Sequence, residues 1–177
     1  MNRLLLVALF LVLSSDAFAF QTRTVKVQAI ECTTKGEKEY CTSEDKRALN
    51  GRIAVQSSEG TVSSISEFKD GYRDGESLFY DNEGRLTSKV IFQKGLKDGI
   101  SYYYHANGEI WIAAPYVKGL LHGTSNIYDA KGKERGRFKY DRGELDNGYC
   151  NHKGQKIRYP NSRSKVEFNQ LVTCGGK

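Results

Sequence analysis

The sequence predicts an all-β protein: a single-domain, elongated antiparallel sheet of stacked β-hairpins, with a disulfide-stapled cap at each end. Three observations carry that expectation. The middle of the chain repeats every 24 residues, and a fixed period in this range marks stacked repeat architectures. Eighteen glycines and eleven tyrosines stand against one methionine and two prolines, a balance that favours strands and turns. Four cysteines flank the repeating centre, two on each side. A length of 177 residues sets roughly one domain. The 38% hydrophobic and 27% charged content describes a globular chain, not a disordered one.

Residues 1–19 read as a signal peptide. Arg3 gives a cationic start, Leu4–Leu13 is apolar, and Ala17-Phe18-Ala19 supplies the small-x-small pattern of a cleavage site. The apolar run is too short for a membrane span, which needs about 20 residues. No transmembrane segment is expected after cleavage, and the mature chain would begin at Phe20. The expected location is the periplasm or cell envelope of a bacterium, or the medium. In an oxidising compartment four cysteines suggest two disulfides. Of three pairings, Cys32–Cys41 and Cys150–Cys174 is expected, because each pair lies on one side of the centre. The two-residue Cys/His gaps of a zinc site do not occur.

Residues 20–49 are expected to form the N-terminal cap. Thr24–Ile30 alternates as a strand does, and a loop closed by Cys32 and Cys41 follows. Residues 50–149 hold the repeats. With Phe68, Phe92, Tyr116 and Tyr140 aligned, Gly71, Gly95, Gly119 and Gly143 fall in one column and Gly75, Gly99 and Gly123 in another. In the second unit, Ser101–His105 reads as one strand and Ala106–Glu109 as a turn centred on Asn-Gly. Ile110–Tyr116 reads as the return strand, irregular near Pro115, and Val117–Gly123 as the link onward. Residues 150–177 close the array, with Val166–Phe168 as a last strand held by Cys150 and Cys174.

Because 24 is even, one parity is expected to face one way throughout. Leu78, Tyr80, Tyr102, Tyr104, Val90, Phe92, Ile110, Ile112, Phe138 and Tyr140 make the even positions largely apolar, so that face is expected to be buried. Odd positions would meet water. Ile53 and Val55 break the rule and are read as a register change at the array's edge. On the odd face, Phe79, Tyr103, Ile127 and Trp111 form an aromatic-rich stripe beside Arg135, Arg137 and Lys139. These seven are the candidate binding face, offering stacking and charge. A second column, Asp74, Asp98, His122 and Asp146, reads as turn chemistry, since carboxylates about 10 Å apart cannot share a metal. Arg73 and Lys97, with Lys94, Lys118 and Arg142, read as a solvated edge that discourages aggregation.

The stretches Gly71–Gly75…Tyr80–Gly84-Arg85-Leu86 and Gly95–Gly99…Tyr104–Gly108-Glu109-Ile110 follow the form G-x-x-x-G…Y-x-x-x-G-x-L. Over residues 50–149 the chain resembles the MORN-repeat variant family. The resemblance implies an elongated antiparallel sheet of stacked hairpins. It points to exported bacterial proteins, some labelled antitoxin components. The chain departs from the pattern at Glu134 and at Asn147-Gly148, which marks the last unit as a cap.

No nucleophile elbow, His-Glu-x-x-His or phosphate-cradling loop occurs. His105 and His122 would approach each other across repeats without a third ligand. No catalytic residue, cofactor or metal is expected, and the chain is read as not an enzyme. Its basic residues are interleaved with acids, which together with export argues against nucleic acid. The expected function is an exported protein-interaction module with another protein as partner. The alternative is a cell-envelope module that binds anionic lipid or glycan through the basic-aromatic face.

Overall fold

The computed structural model describes residues 23–26, 30–152 and 155–159. The signal peptide, Val166–Phe168 and Cys174 lie outside them. The chain is all-β, an elongated antiparallel meander of hairpins, and no helix occurs among the described residues. Strand β1 (Arg23–Lys26) lies parallel to β4 (Gly51–Gln56) at one edge. From β4 the meander runs through β5 (Val62–Lys69), β6 (Tyr72–Tyr80), β7 (Leu86–Gln93), β9 (Gly99–Tyr104) and β10 (Ile110–Val117). It continues through β12 (Gly123–Tyr128), β13 (Glu134–Asp141), β14 (Glu144–His152) and β15 (Gln155–Tyr159). Two short strands, β8 (Leu96–Lys97) and β11 (Leu120–Leu121), open β9 and β12 and are set off from them by Asp98 and His122. β2 (Ile30–Lys35) and β3 (Lys38–Ser43) form a separate hairpin.

Two kinds of turn alternate along the array. At one edge Asp70-Gly71, Lys94-Gly95, Lys118-Gly119 and Arg142-Gly143 have positive φ at both residues, 48–50° at the first and 80–87° at the glycine. That is the type I′ geometry of two-residue hairpins. Val117–Gly123, expected as a link, therefore contains a hairpin turn of its own. At the other edge three-residue loops close the hairpins. There the His105 amide donates to the Glu109 carbonyl at 2.8 Å, and Gly108 has positive φ. The strand holding Pro115 keeps its register to Tyr116 and shifts at its start, between Ile110 and Ile112.

Each type I′ turn is fastened to the repeat before it. Gly95, Gly119 and Gly143 donate their amides to the carbonyls of Arg73, Lys97 and Leu121 at 2.7–2.8 Å. Asp98 accepts the Lys118 amide at 3.2 Å, and Nδ1 of His122 accepts that of Arg142 at 3.4 Å. Those two column residues thus serve a turn, as expected, but the turn belongs to the next repeat.

The facing of side chains corrects the parity expectation. Directly paired residues lie on the same side of an antiparallel ladder, and the partners here have opposite parity. Ser77 faces Val90, Ser101 faces Ala114, and Ser125 faces Phe138. The inner, buried face takes odd positions from the strands leaving the type I′ turns and even positions from the returning ones. Ile53, 1% exposed, obeys this rule, and Val55 packs beside it, so no register change is needed. One residue per repeat is skipped by the ladder as a bulge: Ser63, Thr87, Trp111 and Arg135.

A single-layer sheet has no opposing layer, yet its inner face is buried. Its central row is small: Ser66, Ser77, Val90, Ser101, Ala114 and Ser125 are 0–3% exposed. Phe68, Phe92, Tyr116 and Tyr140 flank the row on one side, and Phe79, Tyr103 and Ile127 on the other. Such small side chains are hidden only if these flanking groups lean over them. The outer rings are paired with glycines of positive φ, Gly75 with Phe92 and Gly99 with Tyr116, and a Cβ on those glycines would meet Glu67 and Ile91.

The N-terminal hairpin caps the first repeats. Cys32 and Cys41 are cross-strand neighbours joined by a disulfide. Cys41 and Leu49 pack with Ile53 and Phe68, and the Cys41 amide donates to the Gly71 carbonyl at 2.7 Å. At the far end Cys150 is 3% exposed and also disulfide-bonded.

The hydroxyls of Ser66, Ser77, Ser101 and Ser125 are buried without a hydrogen-bond partner. Removing such a group relieves a desolvation cost, whereas enlarging it strains the packing above. Ser101→Ala is expected to raise unfolding free energy by about 1 kcal/mol, and Ser101→Leu to lower it by about 1–3 kcal/mol. Denaturant midpoints of the two variants test this, and a destabilised alanine variant would contradict the buried-hydroxyl account.

Candidate functional site

The seven residues of the expected binding face do not share one face. Phe79, Tyr103 and Ile127 lie on the inner face, where Ile127 is fully buried. The bulge residue Trp111 packs against the same core, its ring 5.8 Å from that of His105. Arg135, the bulge of the next repeat, lies 3.9 Å from the Asp129 carboxylate. Arg137 and Lys139 point to the opposite, outer face. His105 and His122 do not meet either: His105 sits at a three-residue loop and His122 at the type I′ edge.

The outer face is continuous. Paired neighbours run Tyr102, Ala113, Asn126, Arg137, Tyr149, Arg158 across it. At its middle, Ile100, Tyr102, Ile110, Ala113, Pro115 and Tyr128 line an apolar depression of about 510 Å³. Ile100 is 47% exposed and Ile110 36%. Thr124 joins this depression to a second of about 650 Å³, where Arg137, Lys139, Lys156 and Arg158 surround Tyr149. The Lys156 ammonium lies 3.9 Å from the Tyr149 ring centre. Glu134 accepts from the Tyr149 hydroxyl and, at 2.7 Å, from Arg137. Those two bonds hold its carboxyl below the ordinary range. Lys139 pairs with Asp146 at 3.2 Å. Among the described residues no carboxylate ion-pairs with Lys156 or Arg158.

The inner face carries two cations, Arg73 and Lys97, that are expected from sequence on a solvated edge. One column, at successive 24-residue steps, reads Leu49, Arg73, Lys97, Leu121, Leu145. Its three leucines are 1–8% exposed. Arg73 and Lys97 point the same way, because each is paired with a core aromatic, Phe68 or Phe92. The Arg73 guanidinium lies 5.5–5.9 Å from the ring centres of Phe68, Phe79 and Phe92, and it ion-pairs with Glu39 of the hairpin. Lys97 Nζ donates to the Tyr103 hydroxyl at 3.3 Å and stands 4.9 Å from the Tyr116 ring centre. Burial pushes the Lys97 ammonium below its ordinary pKa. The interruption of an apolar column by two cations was the signal available in the sequence.

Among the described residues the one Cys/His/Asp/Glu group close enough to share a metal ion is Cys32, Glu39 and Cys41. Its two sulfurs are joined in the disulfide. No protein-family model matches the chain, and no curated protein matches it.

Burial raises the phenol pKa values of Tyr103, Tyr116 and Tyr140. The unfolded chain releases these protons first, so stability falls as pH rises past about 10. Lys97 acts in the opposite sense, one group against three. The guanidinium chloride midpoint is expected to drop between about pH 9.5 and about pH 11.5, and less steeply in Tyr103→Phe. A flat or rising midpoint would count against the buried phenols.

Proposed function

We propose that the chain is an exported, non-enzymatic interaction module of MORN-like repeats, and that its outer sheet face docks another protein. The observation that carries this reading is the exposed apolar depression around Ile100, Tyr102 and Pro115, bordered by Arg137, Lys139, Lys156 and Arg158. Exposed apolar area rimmed by polar groups is characteristic of protein contact sites. Charge complementarity sets the partner's chemistry: an apolar centre with a carboxylate-rich border. The cations would steer encounter, and the apolar centre would supply most of the affinity. Export is supported by the signal-like residues 1–19 and by the Cys32–Cys41 disulfide. No helix among the described residues is long and apolar enough to cross a membrane.

A second reading rests on the depression around Tyr149 alone. Four cations about one aromatic ring suit the anionic groups of an envelope lipid or glycan. The two readings differ in what survives changes of condition. A tagged mature protein, crosslinked in its own compartment, is expected to retain one stoichiometric protein after delipidation. That capture should fail for Ile100→Asp and weaken for Arg137→Ser with Arg158→Ser. Lipid or glycan recovered without protein, and released as salt rises, would replace the first reading with the second. Capture untouched by either substitution would remove the outer face from both.

A further inference from the structure

We propose that the inner-face pocket at Lys97 is a binding site for a single carboxylate borne on an aromatic or aliphatic body. The site lies on the face opposite the proposed docking surface, and neither reading depends on the other. It is a cavity of about 320 Å³ between the sheet and the N-terminal hairpin. Phe92, Leu96 and Tyr116 wall it, with Lys97 and Arg73 at its base and Glu37 and Glu39 at its rim.

The column does not require a cation at Lys97. Leu49, Leu121 and Leu145 fill the same place elsewhere and are buried, so leucine satisfies the packing. An ammonium set among rings loses hydration that the Tyr103 hydroxyl and the Tyr103 and Tyr116 ring faces only partly replace. Among the described residues no carboxylate ion-pairs with Lys97, while its neighbour Arg73 is already paired with Glu39. A ligand carboxylate on Lys97 would supply the missing charge. The Tyr103 hydroxyl, which lies beside the ammonium, stands within reach of the same oxygen. The ring faces of Phe92 and Tyr116 then receive the ligand's apolar body. The rim acids set the charge limit: Glu37 and Glu39 repel a dianion such as phosphate more than a monoanion.

The test is titration of the full mature protein by calorimetry and by amide chemical shifts. Four probes are used: phenylacetate, inorganic phosphate, and a hydrophobic tripeptide with a free or an amidated C-terminus. Saturable binding of phenylacetate or of the free-acid peptide, with none by the amidated one, supports the carboxylate site. Which of the two binds tells a small acid from a chain terminus. Lys97→Leu is expected to fold at least as stably as the parent, as its column allows. It should lose affinity by about tenfold or more, the worth of a charge-assisted hydrogen bond. Lys97→Arg should retain part of it. The proposal is overturned if phosphate binds and the carboxylates do not, if neither carboxylate probe saturates, or if Lys97→Leu binds as the parent does.

Discussion

A sheet one layer thick has no second layer against which to bury its apolar face, and that constraint organises this molecule. The inner face must cover itself. It does so by keeping its central row small and its flanking rows large, so that Phe68, Phe92, Tyr116 and Tyr140 on one side meet Phe79, Tyr103 and Ile127 on the other. The cover is complete enough that Ser77, Ser101 and Ser125 are fully buried. The glycines paired with the rings, Gly75 and Gly99, hold φ of 117° and 114°, a conformation that side chains rarely adopt, and a Cβ there would press on Glu67 or Ile91. Period, glycine columns and aromatic columns are therefore one requirement written several times. Every repeat must present the same cross-section to its neighbours.

Neighbour contact also explains why strained turn residues persist. Lys94, Lys118 and Arg142 hold φ near 48°, in the left-handed region that disfavours side chains. Each is followed by a glycine whose amide bonds the preceding repeat. Lys118 and Arg142 in addition give their own amides to Asp98 and His122. The strain is local and the compensation is between repeats, which ties the turn geometry to the stacking. A hairpin removed from the array would keep the strain and lose those bonds. At the first turn the same bonds go to the segment before β4, Gly71 donating to the Leu49 carbonyl at 2.9 Å and Asp70 to Asn50 Oδ1 at 2.8 Å. The N-terminal hairpin adds the Cys41 amide on the Gly71 carbonyl and the Tyr40 ring edge-on against Tyr72 at 5.2 Å.

The repeat, its all-β character and the local Cys32–Cys41 pairing were legible because each rests on spacing or composition. The facing of the strands was not, for one identifiable reason. An even period keeps parity from repeat to repeat, but it says nothing about parity between the two strands of a hairpin. That depends on the turn. A two-residue turn such as Lys118-Gly119 pairs residues of opposite parity, as Val117 with Leu120. A three-residue loop would undo this, except that a bulge at Trp111 or Arg135 restores it. Taking Asn107-Gly108 as the hairpin centre and Lys118-Gly119 as a link hid that rule. Parity alone therefore assigns Tyr103 and Ile127 to the water face and makes Ile53 an exception, whereas all three follow the inner-face pattern. Lys156 and Arg158, which complete the basic surface with Arg137 and Lys139, lie beyond the repeats. No column drew attention to them.

Alternation separates the two faces of one sheet, since a substitution on one side need not disturb the other. The outer face is under less packing demand: Ile100 and Ile110 stay exposed there. The inner face is under strict demand, and there a departure carries more weight. Arg73 and Lys97 depart in two consecutive repeats, at the place in the array where the β2–β3 hairpin overhangs it. That hairpin brings Glu39 to Arg73 and Glu37 to the rim of the Lys97 pocket. The cap is thus also a wall. The disulfide that ties Cys32 to Cys41 braces the strands on either side of the turn that carries Glu37. The hairpin is seated there by Cys41 in the cluster with Ile53 and Phe68, and by Tyr40 against Tyr72. The same seating carries Glu37 and Glu39 to the mouth of the Lys97 pocket, so one packing arrangement covers the first repeats and shapes that cavity.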